Sequence, residues 1–138
     1  MIPVNELRIG NWVYPISFDS KSIYTLTHKP LQITAESFSL MKKWGEKIYD
    51  PIPLTHDLLF SLGFNCRSTD ASNLERLFRL ELWVDYELIL IETPGFNKFE
   101  MGTITKKGNL LYGEEIKGVH QLQNLYFALT SKELKIDF

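Results

Sequence analysis

Apolar residues recur along this chain with two periods, and the change from one to the other marks out its elements. From Phe78 to Leu90 every even position is apolar (Phe78, Leu80, Leu82, Val84, Tyr86, Leu88, Leu90), while the odd positions open Arg79, Glu81, Trp83, Asp85, Glu87. A period of two over that length predicts β-structure with one dry face. One long strand and a hairpin turning near Asp85-Tyr86 both satisfy it. Between Val119 and Leu129 the period becomes helical. At about 100° of turn per residue, Val119, Leu122, Leu125, Tyr126 and Leu129 fall within an arc of roughly 120°, the width of a core-facing stripe. The opposite arc carries His120, Gln123, Asn124 and Phe127 at the same spacing.

Shorter patterns fill in the rest. Leu7 and Ile9 lead through the turn residues Gly10-Asn11 into Trp12-Val13-Tyr14, and Ile23 to Thr27 and Leu31 to Thr34 read as two more short strands. A helix over Ala35 to Lys43 places Phe38 and Met41 on one face, and Asp50 to Leu54 must be extended because each proline disfavours helix in the residue before it. Thr55 predicts the start of a helix from His56 to Leu62, stopped by Gly63, with Leu54 set to staple onto Leu59 and Phe64 to fold back on it. Asn65 to Asn73 reads as a polar loop, and Thr93-Pro94-Gly95 as a turn. Phe99 to Thr105 and Leu110 to Tyr112 read as a hairpin with its tip at Lys106 to Asn109, while the spacing of Thr130 and Glu133 predicts a capping box and a short final turn.

These elements predict an α+β fold in a single domain, residues 1–138. It is an antiparallel β-sheet meander with a small SH3-like N-terminal β-unit and a C-terminal amphipathic helix packed on the sheet. Sub-units at 1–50 and 51–138 are one division of it. Leu59, Leu82, Val84, Leu122, Leu125 and Leu129 are expected in the core.

At 138 residues the chain is long enough to bury roughly two thirds of its unfolded surface. The net charge of −2 gives no global attraction to phosphate backbones or anionic lipids. The single cysteine, Cys66, rules out an internal disulfide and points to a reducing compartment. The first residues lack the pattern of a signal peptide, and no apolar run reaches the ~18 residues of a membrane span, so the expected place is the cytoplasm.

Three stretches taken together carry a resemblance over nearly the whole chain: Asn5 to Val13; Pro51 to Thr55 with Leu62-Gly63-Phe64; and Val119 to Thr130, of which His120 to Thr130 is the most specific. In order and spacing they resemble an uncharacterised family of small proteins from Bacteroidetes genomes, prophages and phages. The resemblance implies a phage or mobile-element setting, and a host-cell cytoplasm. It brings no catalytic residue. Members of that family tend to carry Gly where this chain has Ser131.

Chemistry narrows the function further. The three histidines, His28, His56 and His120, stand far apart, and no paired ligand spacing predicts a metal site. The eight glycines are spread singly, without a nucleotide-binding pattern, and no nucleophile elbow is present. Cys66 reads as a small buried residue or an inert thiol, and the alternating acids Glu81, Asp85 and Glu87 read as a wet face. No catalytic residue, cofactor or metal is predicted. The expected role is that of a non-enzymatic module binding another protein, with self-association left open. Its face would be His120, Gln123, Asn124 and Phe127, the ring anchoring and the amides fixing register. In the structural alternative those amides hydrogen-bond to the backbone of the loop at 65–73. A second function, single-strand nucleic-acid binding, would use Trp12, Tyr14 and Tyr24 for stacking, with Lys21 and Lys29 nearby and Lys106 and Lys107 for phosphate.

Overall fold

The computed structural model describes residues 1–18, 24–26, 29–44, 48–68, 76–93, 98–104, 107 and 110–138. Lys21, His28, Lys106 and the turn at Pro94-Gly95 lie outside them. The described residues form nine strands and three α-helices, an α+β fold, in two compact units: Met1–Pro53 with Gly118–Phe138, and Leu54–Lys117.

In the first unit β1 (Trp12–Phe18) pairs antiparallel with each of β2 (Tyr24–Leu26), β3 (Leu31–Gln32) and β4 (Tyr49–Pro51). Its aromatic and β-branched start suits a pleated, half-buried strand. Val13, in register with both Leu31 and Pro51, has no exposed surface. α1 (Ala35–Trp44) follows β3 and turns Met41 into a core with Ile2, Leu7, Val13, Ile33, Ile48 and Tyr49, Phe38 packing at its edge.

The closing helix α3 (Val119–Thr130) belongs to this unit. That revises the sub-units read from the sequence, which had grouped it with the meander that precedes it. The reason is local. A Cβ on Gly118 would lie 2.7 Å from Pro51 Cβ and 2.9 Å from the Ile52 carbonyl oxygen, and the Val119 N–H donates to that carbonyl at 2.9 Å. The absence of a side chain at Gly118 lets the helix start directly against the chain leaving β4. Ser131 ends the helix in the left-handed region at φ 56°, with its N–H bonded to the Phe127 carbonyl. No final helical turn follows. Glu133, expected in a capping box, instead pairs with Arg8, and Leu134 and Ile136 are buried along the tail.

The second unit opens with α2 (His56–Ser61) and continues as a sheet of β5 (Asn65–Ser68), β6 (Arg76–Trp83), β7 (Tyr86–Thr93), β8 (Lys98–Ile104) and β9 (Leu110–Ile116), each antiparallel to the next. The cap and the glycine stop read for α2 are in place. Thr55 Oγ1 accepts from the Leu58 N–H at 3.2 Å, Gly63 takes φ 92°, and Leu59 and Phe64 are both buried. β5 occupies the start of the predicted loop. Its polar sequence suits an edge strand, whose ladder among the described residues is supplied by β6.

The alternating stretch is a hairpin. β6 and β7 pair Phe78 with Leu90 and Leu80 with Leu88, so the even positions share a face. The chain reverses at Val84-Asp85, with Asp85 left-handed at φ 67° and a register shift between Glu81 and Trp83. Asp tolerates that region better than most residues. The turn overrides the periodicity at Val84, which is 78% exposed rather than in the core. Leu129, in the last turn of α3, is likewise 44% exposed, Leu82 and Leu125 are half-buried, and Leu59 and Leu122 are fully buried. None of the described helices is long and apolar enough to cross a membrane.

Candidate functional site

The segment from Glu6 to Trp12 must turn into β1, and the turn leaves backbone groups without ladder partners. The polar arc of α3 supplies them. Gln123 Oε1 accepts from the Trp12 N–H at 2.8 Å, and its Nε2 donates to the Gly10 carbonyl at 3.2 Å. Asn124 Nδ2 donates to the Glu6 carbonyl at 2.7 Å, while Asn124 Oδ1 accepts from Asn11 Nδ2 at 3.0 Å and from Arg8 Nε at 3.2 Å. Asn11, fully buried, also accepts the Arg8 N–H at 2.7 Å. Gln121 Nε2 donates to Glu6 Oε2 at 2.9 Å.

His120 and Gln123 are each 1% exposed, so the amides expected to fix the register of a partner fix the register of the chain itself. Their backbone target among the described residues is residues 6–12, and most of the loop read at 65–73 lies outside those residues. Phe127 is the member of that set which keeps an exposed apolar surface, 38% of its total, with the Arg8 guanidinium 4.3 Å above its ring. Arg8 also makes a two-pronged ion pair with Glu133, its Nη2 3.1 Å from Oε2. Burial pushes the His120 imidazole below its ordinary pKa; the hydrogen bond and charge of Glu6, 3.5 Å from Nε2, work against that, and the N-terminal ammonium adds to it. His120 Nδ1 is buried without a hydrogen-bond partner among the described residues.

The residues of the nucleic-acid reading are also partly spent on the fold. Trp12 meets Phe138 edge-on at 5.2 Å between ring centres, Tyr14 is half-buried, and Tyr24 lies in β2. Lys107 is exposed, whereas Lys106 lies outside the described residues.

In the second unit a polar group sits against the packed rings of Phe78 and Phe99. Glu92, only 7% exposed, accepts from His56 Nε2 at 2.8 Å and has Arg76 at 4.0 Å. The His56 ring stacks on Phe78 with centres 5.3 Å apart. Cys66, opposite Phe78 on β5, has its thiol pushed up by burial and by Glu92, with Arg76 opposing. A thiol so held stays protonated at neutral pH and is a poor nucleophile. The pair is a buried carboxylate compensated by a charge-capable ring, as burial of a carboxylate demands. Among the described residues, no group of three His, Cys, Asp or Glu is placed to hold a metal ion.

What the periodicity concealed is the hairpin tip. Trp83, Val84 and Tyr86 are 44%, 78% and 61% exposed, and the two rings lie 5.3 Å apart. Beside the tip the odd-numbered face of β6 and β7 opens into a concavity of about 1020 Å³, floored by Ile89 and Gly102 and walled by Arg79, Glu81, Glu87 and Tyr86. Gly102 is required there, since a Cβ would come within 2.8 Å of Ile91 Cδ1. Arg79 Nη1 is 3.4 Å from Glu87 Oε2. The available sequence signal was the odd register itself, where Trp83 interrupts a run of charges.

No family model, curated protein or solved structure matches this chain.

Proposed function

We propose that the protein is a non-enzymatic interaction module of phage or mobile-element origin that binds another protein in the host cytoplasm, with the β6–β7 hairpin tip as its contact surface. The observation that carries this reading is the exposure of Trp83, Val84 and Tyr86 together, with the two rings in tilted contact. Large aromatic side chains lose little rotamer entropy on docking and dominate the energetics of protein interfaces. Clustered exposure of this kind marks contact surfaces, whereas scattered apolar residues do not. The resemblance of the Asn5–Val13, Pro51–Thr55 with Leu62–Phe64, and Val119–Thr130 stretches supplies the setting. Phe127, exposed beneath Arg8, is a second contact position on the other unit.

The test is recovery of partners from Bacteroidetes host lysate by the full chain, by a Trp83→Ala/Tyr86→Ala variant and by Phe127→Ala. The reading predicts that the double variant loses at least one partner while keeping the unfolding midpoint of the parent. Equal recovery of every partner by all three proteins would remove both surfaces.

A further inference from the structure

The concavity beside the hairpin tip has a charge pattern that selects its occupant. Its walls carry the carboxylates of Glu81, Asp85 and Glu87 against one guanidinium, Arg79. That guanidinium is turned to Glu87, at 3.4 Å, so Glu81 and Asp85 have no cationic partner among the described residues. Both are exposed and line the concavity together with Tyr86, itself 61% exposed. Unneutralised carboxylates repel phosphate and attract ammonium or guanidinium groups, and an open aromatic face adds a cation–π site for the same groups. The floor is an antiparallel sheet surface, where Gly102 pairs with Ile89 and carries no side chain into the concavity. A trough of this kind fits a narrow, extended chain whose side chains alternate between wall and solvent.

From these features we infer that the concavity on β6, β7 and β8 takes an extended, Lys- or Arg-bearing segment of a partner protein, a proposal that rests on the protein-binding reading above and specifies its partner. The basic side chains reach Glu81 and Asp85, one of them crossing the Tyr86 ring, while the segment's apolar side chains cover Val84, 78% exposed. A second copy of this chain is disfavoured as occupant, because the same acidic rim would face itself.

The test uses the full-length protein and three immobilised pools of random octapeptides, with alternate positions fixed as Lys/Arg, as Asp/Glu, or as Ser/Gln. Wild-type protein is expected to be retained by the basic pool alone, with retention falling as salt rises. Glu81→Gln/Asp85→Asn removes the two unpaired charges without disturbing the turn, because Asn also adopts the left-handed conformation of Asp85. That variant should bind the basic pool roughly five- to tenfold more weakly. Glu81→Lys should move preference toward the acidic pool. Retention that ignores pool charge, absence of retention by every pool, or wild-type binding by both charge variants would each overturn the basic-segment assignment. The interaction reading itself fails separately, when Trp83→Ala/Tyr86→Ala recovers the parent's full set of lysate partners.

Discussion

At the scale of single residues, Gln123 carries more of the first unit than its polarity suggests. It joins the Trp12 N–H and the Gly10 carbonyl from a side chain that is itself 1% exposed. Gln123→Ala strands the Trp12 N–H, while the Gly10 carbonyl keeps Gln32 Nε2 at 3.2 Å, and an unmade hydrogen bond costs more than a made one contributes. The expected loss is about 1–3 kcal/mol in urea unfolding. His120 makes a different prediction. Burial holds its folded pKa below the ordinary 6.5. Above that value the ring is neutral in both states and its contribution to stability is complete. Below it the unfolded chain takes up a proton that the folded chain resists, so stability falls with pH until the folded pKa is passed. Unfolding midpoints measured from pH 8 to pH 5 should show that decline, and His120→Gln should flatten it.

Elements show where periodicity is a sufficient guide. It identified α3 and the buried Val119 and Leu122 of its stripe, though not the exposure of Leu129 or the burial of His120 and Gln123. It also identified α2 with its cap and glycine stop and the two-residue period of β6 and β7. It failed at Val84 because a pattern of apolar positions carries no information about where a strand reverses; the turn depends on the left-handed tolerance of Asp85 and a register shift, neither of which has a composition of its own. It failed at β5 because an edge strand is held by its neighbour's backbone rather than by its own side chains. The polar arc of α3 was legible as unusual, but its target was not: residues 6 and 124 are distant in sequence, and only the fold brings the Glu6 carbonyl to Asn124. The N-terminus of α3 offers a direct check. Gly118→Ala sets a methyl group against Pro51 Cβ and the Ile52 carbonyl, backbone-bound atoms that cannot swing aside. A loss of about 1–3 kcal/mol, the range for overpacking a tight site, is expected by thermal or urea unfolding. Gly108→Ala, at the predicted hairpin tip outside the described residues, serves as the comparison substitution.

Across the whole molecule, side chains divide between holding the chain together and facing outward. In the first unit the helix amides are consumed by residues 6–12. In the second, the buried Glu92 is compensated by His56 while aromatic and acidic residues remain exposed at the hairpin. On this account, recognition of a partner falls first to β6 and β7, with the exposed Phe127 ring as a further contact, and the buried amide side chains of α3 are part of the scaffold. Amide hydrogen exchange, followed by mass spectrometry on the free protein and on the protein bound to its captured partner, tests that division directly. The account predicts new protection across residues 79–89 and 102–103, with the amides of 119–127 exchanging as slowly before binding as after. Protection that appears on α3 and leaves the hairpin unchanged would contradict it.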